Sequence, residues 1–159
     1  MQKVLKTIPF TTEKYKEMKD KVKALEAERE VVMERLVEAR GMGDLSENGA
    51  YKYAKFELGN IGRQLKRFQD LLAKGFPAPR NTGPKGKIDF GSLVTVEKQD
   101  SKKTQKTFTI VSGHESDPSI GKIAYSSPLG KALMRKQVGD MVLVETPVGQ
   151  TKFLIINIA

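Results

Sequence analysis

The stretch TEKYKEMKDKVKALEAEREVVMERLVEAR, Thr12 to Arg40, decides the fold of this chain. Within it Tyr15, Met18, Val22, Leu25, Arg29, Val32, Leu36 and Ala39 are separated by alternating threes and fours. That spacing is an a/d heptad seam on one helix, broken only by Arg29. Downstream, Tyr51, Ala54, Leu58, Ile61, Leu65, Phe68 and Leu72 repeat it on a second helix. Gly41-Met42-Gly43 lies between the two series, where glycine ends a helix and permits a reversal. So short a link predicts antiparallel neighbours. At 1.5 Å per residue each helix spans roughly 40 Å. Thr11 or Thr12 is expected to cap the first helix, with Glu13 favouring the dipole in its first turn. Gly59 and Gly62 interrupt the second helix at about 1 kcal/mol each relative to alanine. They fit either a close helix approach or a bend.

Beyond the hairpin the period changes. Phe76-Pro77-Ala78-Pro79-Arg80-Asn81-Thr82-Gly83-Pro84 reads as a linker. Ser92–Glu97, Thr107–Ser112, Met141–Thr146 and Lys152–Ile158 are rich in Val, Ile, Thr and Phe and read as strands. Pro147-Val148-Gly149-Gln150 is the expected turn of the last hairpin. Ser127 to Lys136 reads as one short helix, with Ser127 as its cap and Pro128 at its first position. The expected class is α+β: a hairpin over residues 1–76, a linker over 77–90, and a small domain over 91–159.

Composition narrows the partners. The 159 residues are 38% hydrophobic and 30% charged, as expected where a long helical arm buries only one stripe. There is no cysteine, which excludes disulfides and cysteine-based zinc sites. No apolar run is long enough to span a membrane, and MQKVLKTIPF lacks the apolar core of a signal peptide, so a cytoplasmic protein is expected. The net charge of +9 points to polyanions, whether RNA, DNA or an acidic protein groove, or simply to solubility.

Asp44-Leu45-Ser46-Glu47-Asn48 falls where the hairpin turns. Two readings fit that spacing. In one, Asp44 caps the second helix and Glu47 reaches back in a capping box, or Ser46 caps and Glu47 only complements the dipole. In the other, the carboxylates enter another molecule's active site. Carboxylate oxygens suit Mg²⁺, but two are too few for a full cage, so a partner would supply the rest.

The segment Glu38-Ala39-Arg40-Gly41-Met42-Gly43-Asp44-Leu45-Ser46-Glu47-Asn48 resembles the tip of the bacterial Gre transcript cleavage factors, EAR-x-x-GD-x-x-EN. Further along, Gly121-Lys122-Ile123, Ser126-Ser127-Pro128-Leu129-Gly130-Lys131-Ala132-Leu133, Lys136 and Val138-Gly139-Asp140 resemble the family's C-terminal domain. Phe90-Gly91 and Thr146-Pro147-Val148-Gly149 also fit, and the likeness is nearest to the GreA branch. The resemblance implies an FKBP-like antiparallel sheet domain with one short helix, a likeness of fold that carries no implied isomerase activity. It implies that this domain binds RNA polymerase, and Ser127, Pro128, Leu129, Lys131, Ala132 and Leu133 are its candidate contacts. The coiled coil would enter the secondary channel, where Asp44 and Glu47 would position Mg²⁺ and water for cleavage of backtracked RNA, and Ser46 would touch the site. The metal would be shared with the polymerase and not bound by the free, monomeric protein. The factor would be an accessory and not itself an enzyme. The family pattern continues EN-x-EY, but here Ala50 stands in place of the later glutamate, and Gly49 weakens the first turn.

The helices differ in charge. Residues 12–40 carry eight bases and eight acids. Residues 48–75 carry Lys52, Lys55, Arg63, Lys66, Arg67 and Lys74 against Glu57 and Asp70. The plain reading is a solvated face. The sharper one is a basic stripe, Lys52, Lys55, Arg63, Lys66 and Arg67, that follows the nascent RNA 3′ end by phosphate attraction. Tyr51 and Tyr53 could stack on a base, although Tyr51 occupies a seam position that favours packing. His114, the only histidine, reads as a loop residue, and Ser126 and Ser127 have no histidine–acid arrangement near them. Two alternatives accompany the cleavage factor. One is a non-cleaving channel regulator or inhibitor of the same architecture, suggested by Ala50. The other is a coiled-coil chaperone or oligomerisation module, which would expose an apolar tip where this chain has Gly-Asp-x-Ser-Glu-Asn.

Overall fold

The computed structural model describes residues 4–79 and 86–159. Its elements run β1 (Ile8–Thr11), α1 (Thr12–Arg40), α2 (Gly49–Lys74), β2 (Gly75–Ala78), β3 (Leu93–Lys98), β4 (Gln105–Val111), β5 (Lys122–Ala124), α3 (Pro128–Leu133), β6 (Met141–Thr146) and β7 (Gly149–Ile158). They group into two compact units: residues up to Thr7 with Tyr15–Gly75, and Ile8–Lys14 with Phe76–Ala159.

The first unit is the hairpin. On α1 the buried positions Met18, Leu25, Val32 and Ala39 recur every seven residues, as the heptads require. They meet the seam of α2 in one cluster: Leu25, Val32, Ala54, Ile61 and Leu65, flanked by Val22, Leu36, Leu58 and Phe68. Each fully buried aliphatic side chain here contributes roughly 1.5–3 kcal/mol. Arg29, the polar break in the seam, is exposed. Arg35 and Glu57 form an ion pair across the helices at 3.1 Å, without hydrogen-bond geometry at the buried carboxylate oxygen. With Arg35 half exposed, the pair contributes at most about 1 kcal/mol. Gly59 and Gly62 are both exposed, and the only atom an added Cβ would meet is the Arg63 guanidinium, 3.6 Å from Gly59. Close helix approach is therefore not their reason.

The second unit holds a five-stranded sheet in the order β5-β4-β3-β7-β6. The four expected strands are present, and β6 and β7 are joined by the expected turn at Pro147-Val148. β3 pairs antiparallel with β4 and β7, and β6 with β7, but β5 runs parallel to β4. The sheet is thus mixed, not antiparallel throughout, because β5 returns through a 3₁₀ turn at Pro118–Ile120 and not through a tight hairpin. Alternation places Val94, Val96, Val142 and Val144 inward, with Ile88, Ile110, Ile123, Leu133 and Ile155 completing the core. The expected linker is shorter than its sequence suggests. Gly75–Ala78 forms β2, which pairs with β1, and Ile88 is fully buried in the core. Arg80 to Pro84 of that linker lie outside the described residues.

α3 begins where expected and ends three residues sooner. Ser127 Oγ accepts from Gly130 N at 3.0 Å and donates to the Ala124 carbonyl at 2.7 Å, so the cap also ties the helix to β5. Gly130 has no alternative at its position. A Cβ there would sit 2.0 Å from the Ala124 carbonyl oxygen.

Thr11, the last residue of β1, and the loop residue Glu115 hold the start of α1. Thr11 Oγ1 accepts from Lys14 N at 3.2 Å and is the cap. The same hydroxyl donates to Glu115 Oε1 at 2.5 Å, and Thr11 N donates to Glu115 Oε2 at 3.1 Å. A capping box normally draws that second acceptor from the third residue of its own helix, which here is Lys14. Glu115 fills the role from 104 residues away, buried, with Lys122 Nζ 3.3 Å from its Oε1. Beside it the His114 ring lies 6.2 Å from that of Phe10.

Candidate functional site at the hairpin tip

Residues 41–48 turn the chain between the two seams. Gly43 adopts φ +108°, a conformation that L side chains rarely reach. Asp44 Oδ1 accepts from Ser46 N at 2.9 Å, an Asx turn that fixes the carboxylate on the outside of the loop. Neither Asp44 nor Ser46 caps α2. Asn48 does: its Oδ1 accepts from Tyr51 N at 3.0 Å, and its Nδ2 donates to the Ala39 carbonyl at 2.6 Å. One side chain thereby bridges the last turn of α1 and the first turn of α2. The signal was present in the sequence, since Asn is among the strongest N-cap residues and directly precedes Gly49.

This arrangement removes the capping duty from both carboxylates. Glu47 is exposed, and among the described residues its side chain has no hydrogen-bond or ion-pair partner. Asp44 is exposed too, and the Ser46 backbone N–H, followed by the Ser46 side chain, holds its carboxyl below the usual carboxylate range. Both groups are therefore exposed and outward-facing. Both Glu47 oxygens remain uncommitted, while Asp44 is engaged by Ser46. Such hard oxygen donors fit a divalent cation as part of a shell, but not a whole one. Among the described residues no group of three or more His, Cys, Asp or Glu could hold a metal.

The other expected residues separate by position. Lys52, Lys55, Arg63, Lys66 and Arg67 are all exposed on α2. Lys55 Nζ lies 5.5 Å over the Tyr51 ring, Arg63 donates to Asn60 Oδ1, and Tyr51 is half-buried in the seam while Tyr53 is exposed. On α3, Pro128 and Lys131 are exposed. Leu129 and Ala132 pack partly against the core, Leu133 is fully buried, and both hydrogen-bonding capacities of the Ser127 hydroxyl are used internally. Leu133 therefore belongs to the core and has no surface for a partner.

A helical hairpin with two exposed carboxylates at its turn, followed by a small α+β unit, defines a factor that presents acidic groups at the end of a coiled coil. Residues 8–75 match the family described as "Transcription elongation factor, N-terminal", and residues 83–159 match "Transcription elongation factor, GreA/GreB, C-term". The chain is 34% identical over 151 residues to transcription elongation factor GreA of Sphingopyxis alaskensis, covering 95% of this chain and 94% of that one. It is 36% identical over 153 residues to GreA of Pelobacter propionicus, covering 96% of each. Among solved structures, GreA factor homolog 1 of Thermus thermophilus is 24% identical, with coverage of 96% and 98% and a TM-score of 0.43. The chain belongs to the GreA/GreB family of transcription elongation factors, close to GreA.

Proposed function

We propose that this factor places its hairpin tip in the RNA polymerase active site through the secondary channel and stimulates cleavage of backtracked RNA. The observation that carries the reading is the pair Asp44 and Glu47, released from capping by Asn48 and directed outward at the turn. Asp44 and Glu47 would contribute oxygen ligands to a Mg²⁺ whose remaining ligands come from the polymerase. When bound, such an ion stabilises charge at the attacking and leaving oxygens of a phosphodiester. Glu47, with both oxygens free, orients a water by accepting its proton in a hydrogen bond. Asp44, pinned by Ser46, is the stiffer of the two ligands. Ser46 follows the carboxylate it anchors. The bases of α2 attract the phosphates of the extruded RNA 3′ end. Pro128 and Lys131 are the α3 side chains free to meet the polymerase. The cleaving centre is the polymerase's own, and the factor acts as its accessory.

Cleavage of RNA in a halted, backtracked complex tests the reading. Asp44→Ala and Glu47→Ala should each lower the cleavage rate at saturating factor by at least tenfold without loss of binding. If both variants cleave as well as the unaltered chain, the metal- and water-positioning role is wrong. Ala50, which stands where the family pattern has a glutamate, favours a second reading as a non-cleaving regulator. Inhibition of elongation with no release of a 3′ fragment would select it.

A further inference from the structure

We propose that the groove on the outer face of α1, lined by Glu30, Met33, Glu34, Val37 and Glu38, docks against a basic, partly apolar protein surface of the polymerase. The inference rests on the proposed function and adds a second contact to it. Met33 and Val37 are 39% and 66% exposed, one turn apart and outside the heptad seam. The seam does not require them to be apolar. Beside them Glu26, Glu30, Glu34 and Glu38 repeat at i, i+4, a row of roughly 18 Å. Like charges at that spacing weaken a helix by a few tenths of a kcal/mol per pair. Among the described residues none of the four has an ion-pair partner: Arg35 is held by Glu57, and the exposed Arg29 within the row forms no ion pair.

A solvated face needs charge but not a pair of exposed apolar side chains along one margin. An apolar strip bordered by unneutralised glutamates fits a complementary surface of Lys or Arg set around apolar groups. Phosphates would be repelled by this row, so RNA is not its occupant. RNA belongs with Lys55, Arg63 and Arg67 on α2. The row thus sets a division of labour along the arm, α1 toward protein and α2 toward nucleic acid.

The test measures the factor concentration for half-maximal binding to core polymerase and, separately, the maximal cleavage rate. Full-length Glu30→Lys/Glu34→Lys should raise the half-maximal concentration at least tenfold at low salt and less at high salt. Glu30→Gln/Glu34→Gln should fall between, as should Met33→Ser/Val37→Ser. Maximal cleavage at saturation should be unchanged, since no altered residue belongs to the tip. All three variants keep the seam, and circular dichroism melting checks that they fold. An unchanged half-maximal concentration for the lysine variant would overturn the proposal. So would a homodimer, seen by sedimentation, that the lysine variant dissociates while polymerase affinity holds; the groove would then seat the basic α2 of a second copy. Failure of the cleavage reading looks different: the unaltered chain would bind without cleaving, and the binding arm would still decide the groove.

Discussion

Asn48→Ala removes two hydrogen bonds with one substitution, and the geometry fixes where the damage falls. Loss of the Oδ1 acceptor for Tyr51 N deletes an N-cap, at about 1 kcal/mol. Loss of the Nδ2 donor to the Ala39 carbonyl deletes a second bond, again about 1 kcal/mol. Together, about 2 kcal/mol corresponds to roughly a 30-fold rise in the ratio of frayed to closed tip. The buried seam from Ala54 to Leu65 is untouched, so the opening should stay local. Native-state hydrogen exchange provides the assay. The amides of Met42, bonded to Ala39 O, and of Lys52, bonded to Asn48 O, should lose roughly 30-fold in protection, while amides near Ile61 keep theirs. Cleavage at saturating factor should fall in parallel, because Asp44 and Glu47 then sample more positions. Asn48→Asp keeps the acceptor and loses the donor, so about half the effect should remain. Two results would refute the reasoning: protection at Met42 and Lys52 within twofold of the unaltered chain, or a loss spread evenly along α2.

Three further expectations follow from the same geometry. Glu115→Ala leaves Thr11 N and Oγ1 without their acceptor and should destabilise the fold by about 2–4 kcal/mol in thermal or urea unfolding, with Glu115→Gln losing less. Gly130→Ala drives a methyl into the Ala124 carbonyl and should cost about 3 kcal/mol or more, read as a lower urea midpoint at unchanged slope. Because the Ser46 N–H lowers the Asp44 pKa, Asp44 should keep its charge as acid protonates ordinary exposed carboxylates, and this small stabilisation is lost only when pH falls through the lowered value. Ser46→Pro deletes the donor, so carboxyl-detected NMR should show the Asp44 midpoint moving upward.

The hairpin was legible because a heptad seam is a local pattern: the buried series Met18, Leu25, Val32 and Ala39 can be counted on the letters alone. The four longer strands were legible by composition. The short strands β1, β2 and β5 were not, since three or four residues carry no period, and Pro77 made β2 look like linker. The direction of β5 depends on the route of the chain before it, which hydrophobic alternation does not encode. At the tip, sequence placed Asp44 and Glu47 correctly at the turn but left their duty between capping and chemistry. Asn48 takes the capping role from both, accepting from Tyr51 N while its amide also bonds Ala39 of the other helix. On α3, Leu133 shares a motif with exposed neighbours, and only packing shows it to be core. Glu115 gave no local sign, as GHESD reads like any polar loop.

The Thr11–Glu115 contact also bears on the order in which the chain is made. The cap hydroxyl of α1 leaves the ribosome 104 residues ahead of the carboxylate that receives it. At about 5–20 residues per second, that is a wait of roughly 5–20 s. Throughout it α1 can wind on its own propensity and then zip against α2, while its first turn stays unfinished. The first helix to emerge is therefore among the last to be completed. A nascent chain halted before residue 115 should carry a formed coiled coil with a loose beginning.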